Sequence, residues 1–83
     1  MNIRNNLVNY LFDKDYVVSM YDDYIYFFNY KYLDSFDERQ IIVSLQGKVF
    51  VLSGESMIIV KMTKEELLIK GIIKEIKVNV NHE

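Results

Sequence analysis

A chain of 83 residues has room for one domain and one core, and with 51% hydrophobic residues it is too apolar to stay disordered. It contains no cysteine, which excludes a disulfide framework, a thiolate metal site and a thiol nucleophile. A formal net charge of −2 does not favour nucleic acid, whose binding leans on a basic surface.

Ile3, Leu7, Tyr10 and Leu11 fall at the spacing of one helical stripe. Asn2 can cap its start, and Asp13-Lys14-Asp15 closes it, so residues 1–14 are predicted as a short helical segment. A helix this short is marginal alone and should rest on a sheet. Its polar face is rich in Asn rather than Lys, which argues against a membrane-surface anchor. Neither a signal-peptide core nor a membrane-spanning run is visible, so a cytoplasmic chain with no direct membrane anchor is expected.

From Tyr16 onward the period changes. Stretches 16–18, 24–29, 39–45, 49–53, 57–62, 67–70 and 72–80 are rich in β-branched and aromatic residues. Turn-forming groups separate them: Tyr21-Asp22-Asp23, Ser35-Phe36-Asp37-Glu38, Gln46-Gly47-Lys48, Ser53-Gly54-Glu55-Ser56 and Lys70-Gly71. Thr63-Lys64-Glu65-Glu66 fits a helix capping box. The apolar run Leu67-Leu68-Ile69 then meets Gly71 too soon for a surface helix, so 63–66 reads as a turn and 67–70 as a strand. The fold expected is mainly all-β: an antiparallel meander of about seven or eight short strands, forming one curled sheet or small roll with a short N-terminal helix. It is expected as a single domain over 1–83, with the meander over 16–80.

Of the 12 aromatic residues, all but Phe50 lie between Tyr10 and Phe36. If 24–32 formed one unbroken strand, Tyr24, Tyr26, Phe28, Tyr30 and Tyr32 would line a single face. Tyrosine suits contact surfaces, having a rigid apolar body and a polar tip, so these five are the candidate protein-contact residues. The competing reading is that such rings fill a small core.

No catalytic, cofactor-binding or metal-ligating residue stands out. The single histidine, His82, is next to the last residue, and acid–base catalysis cannot be assembled around it. Asp22-Asp23, Asp37-Glu38 and Glu65-Glu66 read as solvated turn acids, because adjacent residues on a strand point to opposite faces. Gly47, Gly54 and Gly71 are isolated and make no phosphate loop. A non-enzymatic protein without cofactors is expected. Acid residues dominate 10–36 and lysines 61–77, which solvated strand faces explain and which also leaves a homo-oligomer open.

One order of elements is distinctive. The segment Gly47-Lys48-Val49-Phe50-Val51-Leu52-Ser53-Gly54-Glu55-Ser56-Met57-Ile58-Ile59 is followed by Met62-Thr63-Lys64-Glu65-Glu66-Leu67-Leu68-Ile69-Lys70-Gly71-Ile72-Ile73. Together with Ile25 to Leu33 and Phe36-Asp37-Glu38, this resembles the YabP/YqfC family of small sporulation proteins, nearer its YqfC branch. The chain departs from the family pattern at Phe28 and Tyr32, where the family commonly has Glu and Gly. The resemblance implies a non-enzymatic role in endospore formation, in the mother cell or at the forespore surface. It also implies a protein partner, a membrane protein of the sporulation programme being one candidate. A small ligand-binding or regulatory β-module is the alternative function class.

Overall fold

The computed structural model describes residues 16–80. It contains β1 (Val17–Met20), β2 (Tyr24–Phe28), β3 (Tyr32–Phe36), β4 (Gln40–Leu45), β5 (Lys48–Met62) and β6 (Glu66–Val80). All neighbours are antiparallel, in one open sheet ordered β1-β2-β6-β5-β4-β3. The all-β class is as the sequence suggests. The helix expected over 1–14 lies outside the described residues.

Two features differ from expectation. There are six strands rather than seven or eight, and the order is not a meander, since β2 lies beside β6. β3 adds a strand where Ser35-Phe36 is expected to turn, while β5 and β6, at 15 residues each, take in two expected strands apiece. The groups Ser53-Gly54-Glu55-Ser56 and Lys70-Gly71, expected as turns, lie inside these strands. Their glycines answer a close approach instead. A Cβ on Gly54 would overlap the Ile72 carbonyl oxygen and stand 2.9 Å from its carbon, and one on Gly71 would stand 2.7 Å from Met57 Cα.

Around this crossing the β5–β6 pairing shifts register at Ser53/Gly54, Glu55/Ile58 and Ile59/Lys61. Such bulges bend and twist a hairpin. β2 pairs with the first part of β6, from Phe28↔Glu66 to Tyr24↔Lys70. β4 pairs with the first part of β5, from Leu45↔Lys48 to Gln40↔Ser53. The sheet therefore has two halves, joined by the bent hairpin and folded onto each other.

One ring pair measures the fold. Phe27 is paired with Leu67, and Phe50 with Val78. A straight β6 would hold those two positions roughly 36 Å apart. Phe27 and Phe50 nevertheless meet edge to face, with centroids at 5.6 Å.

The opposite side is closed by the short link from β2 to β3. Asn29 N–H donates to the Glu65 carbonyl at 2.6 Å, and Lys31 N–H to the Ser44 carbonyl at 2.8 Å. Asn29 sits at φ 61, a left-handed conformation that asparagine tolerates better than most residues. Tyr30 is buried, and its hydroxyl donates to the Thr63 carbonyl at 2.7 Å.

The core takes Ile25 and Phe27 from β2, Leu67 and Ile69 from β6, Leu52 and Met57 from β5, and Ile41, Val43 and Leu45 from β4. In β2 and β4 the buried residues alternate with partly exposed ones, the pattern of a strand with one face inward. The predicted turn at 63–66 is present. Thr63 Oγ1 accepts from Glu66 N–H at 2.9 Å and from Glu65 N–H at 3.3 Å, so the capping-box letters close a hairpin rather than open a helix.

Candidate protein-contact face

The side of β2 that faces away from the core carries Tyr24, Tyr26 and Phe28, all half-buried. Their inward neighbours Ile25 and Phe27 are buried, as two-residue periodicity requires. The five-residue stripe expected over 24–32 does not exist as one face. The turn of the chain at Asn29 ends the strand, sends Tyr30 into the core and passes Tyr32 to β3, where it is 66% exposed. Three of the five candidates share a surface; the other two leave it for opposite environments.

Register supplies the neighbours that single-strand reasoning could not. Opposite Tyr24, Tyr26 and Phe28 on β6 stand Lys70, Leu68 and Glu66. On β1, Ser19 and Val17 stand opposite Tyr26 and Phe28. On β5, Ile58 is opposite Lys70, and Lys61 is opposite Leu68. Directly opposed residues share a face, so one amphipathic surface spans four strands.

Its polar groups are fixed in place. The Lys70 ammonium lies 5.6 Å from the Tyr24 ring centroid, a cation–π geometry. The Tyr26 hydroxyl donates to Glu66 Oε2 at 2.7 Å, and Lys61 Nζ reaches Glu66 Oε1 at 3.1 Å. Burial, and then the bond to Glu66, push the Tyr26 hydroxyl up to about 12. The Glu66 carboxyl is held below its usual range, first by the Tyr26 hydrogen bond and then by Lys61.

These two directions fix opposite pH limits. Glu66 is lowered in the folded state, so its contribution is complete above the ordinary glutamate range and is lost as pH falls through the lowered value. Tyr26 is raised, so its contribution is complete below its usual 10.0 and is lost as pH rises through about 12. The melting temperature should therefore fall at both ends, and Tyr26→Phe should flatten the alkaline fall. An alkaline limb identical in the two proteins would show that the Tyr26–Glu66 bond contributes nothing to stability.

Two open grooves flank the bend. One, of about 430 Å³, is lined by Glu38, Arg39, Glu55, Ser56 and Lys74 around Gly54. The other, of about 300 Å³, lies between Ile58, Ile72, Lys70 and Gly71 and adjoins the aromatic face through Lys70 and Ile58. Among the described residues no group of three or more His, Cys, Asp or Glu side chains could hold a metal ion. What the face offers chemically is apolar ring surface bordered by anchored charges of both signs.

Of this face, sequence reasoning found the rings and missed Lys61, Glu66, Leu68 and Lys70. Glu66 was visible only as a turn residue, because its partner Tyr26 is forty positions away. Compared with family models, with curated proteins and with solved structures, the chain gives no match in any of the three.

Proposed function

We propose that this chain is a non-enzymatic sporulation protein, an assembly or scaffold component that binds a protein partner through the outer face of β2. One observation carries the binding part. The core closes on Ile25 and Phe27, so Tyr24, Tyr26 and Phe28 stand on the far side of the same strand, surplus to it. Aromatic residues with polar tips, set among anchored charges, are what protein interfaces are enriched in. The biological setting rests on the resemblance to the YabP/YqfC family. The protein would act in the mother cell, recruited to the forespore envelope or coat by its partner, with a membrane protein of that programme as the candidate. No cofactor enters this reading.

A fluorescent fusion expressed from its native promoter tests both parts at once. The wild-type signal should appear after asymmetric division and trace the forespore. Tyrosine at the centre of an interface is worth about 2 kcal/mol, so Tyr24→Ala with Tyr26→Ala should weaken capture by about a thousandfold and leave the signal diffuse. Both rings lie outside the core, so the purified double variant should keep its β-sheet circular dichroism. A diffuse wild-type signal in growing cells would sink the sporulation role. Forespore localisation that survives the double substitution would move the contact elsewhere on the molecule.

A further inference from the structure

From Glu66 to Lys70, β6 is paired on both sides, with β2 and β5. Beyond that, Gly71 N–H donates to the Asp23 carbonyl at 3.0 Å, and from Ile72 to Val80 only β5 pairs with it among the described residues. Among the described residues the result is a strand edge roughly 26 Å long with no second neighbour. It is apolar as well, with Ile72 57%, Val78 48% and Val80 61% exposed. An edge of this kind is a template for another strand.

The charges on it indicate which strand. Lys74 is held by Glu55 within the chain, Nζ to Oε1 at 3.0 Å. Glu75 and Lys77 form no ion pair among the described residues. They flank Ile76, the midpoint of the free stretch 72–80. We propose that this edge pairs antiparallel with the same edge of a second copy, about a twofold axis through Ile76.

The register follows from the backbone. Outward-pointing peptide groups alternate along a strand, so a symmetric self-pairing must be centred on a residue. Centring on Glu75 or Lys77 sets that residue against its own like charge. Centring on Ile76 gives the full overlap and sets Glu75 of each copy against Lys77 of the other, twice. It also sets Ile76 against its symmetry mate. The bulge at Ser53/Gly54 bends β6 near Lys74, so the central residues Glu75 to Lys77 carry the recognition. A single strand pair is a small interface, at the weak end of specific contacts. This edge is separate from the Tyr24 face, and its test does not depend on that face.

Sedimentation of the full chain over a concentration series, up to about 1 mM, tests the proposal. Wild-type protein should pass from monomer to dimer. Glu75→Lys or Lys77→Glu alone sets like charges opposite each other twice and should weaken the dimer at least tenfold. The double exchange Glu75→Lys with Lys77→Glu should restore it. Both side chains are exposed, so all three variants should keep the wild-type melting temperature as monomers. Should a charge reversal disturb the fold, Glu75→Gln and Lys77→Gln remove the attraction without repulsion and should still weaken the dimer. A chain that stays monomeric throughout, or a dimer indifferent to the single changes, would overturn the inference.

Discussion

Replacing Phe27 with alanine is expected to remove a large share of the domain's stability. Phe27 is 0% exposed and makes the edge-to-face contact with Phe50 that joins the two halves of the folded sheet. Truncating a buried phenylalanine costs about 3–5 kcal/mol, from lost transfer energy and from the cavity left behind. A chain of this length has a total stability of only about 4–12 kcal/mol. The loss is therefore at least about a quarter of everything that holds the fold. Urea unfolding followed by circular dichroism would measure it. Phe27→Leu, which keeps most of the volume, should lose much less. A cost below about 1 kcal/mol for the alanine variant would mean that the halves do not pack through this ring.

Gly54→Ala should come close to that effect by the opposite route, adding one carbon instead of removing six. The added methyl would overlap the Ile72 carbonyl oxygen, with Ile73 Cα of the same peptide unit 3.1 Å away. Both obstacles are backbone in a paired strand and cannot rotate aside. Gly54 N–H is itself tied to the Arg39 carbonyl at 2.9 Å, so β5 is held from behind. Overpacking of this kind costs about 3 kcal/mol, which lowers the melting temperature of so small a domain by roughly 12–24 °C. Gly47 is the control. It lies in open space, and only its φ of 76 resists a side chain, so Gly47→Ala should cost about 1 kcal/mol. Equal losses at the two positions would show that the bend can move apart to admit a methyl group.

The contrast between those glycines also explains what could be read from the letters. Gly47 is a turn glycine: Leu45 pairs with Lys48 across it, and the sequence says so. Gly54 and Gly71 carry the same local signal, yet they mark two strands crossing too closely for a side chain. Nothing adjacent in sequence distinguishes the cases, because the obstructing atoms belong to residues 72 and 57. That is why the local pattern of β5 and of β6 is that of two strands each. β3 was hidden differently. Tyr32 and Leu33 continue the parity of β2, and Ser35-Phe36-Asp37 looks like a turn. Asn29 was the available clue, since asparagine is among the few residues that readily take positive φ. The strand class, the turn at 63–66 and the shared outward side of Tyr24, Tyr26 and Phe28 follow local rules and are legible. The β2–β6 pairing depends on complementarity between distant segments, and the ion-paired part of the face depends on that pairing.

The same pairing has a temporal consequence. Strands β1 and β2 can form a hairpin as soon as they are made, but a lone hairpin in water is marginal. The strand that completes their half of the sheet begins at Glu66, after β3, β4 and β5 have all been synthesised. Until then Ile25 and Phe27 have no Leu67 and Ile69 to cover them. Folding must close a loop of some forty residues before this half of the sheet exists, an ordering that slows its formation and prolongs the exposure of Ile25 and Phe27. For the half of the sheet that carries β1 and β2, acquiring structure is an event that waits for the last hairpin rather than one that accompanies growth of the polypeptide.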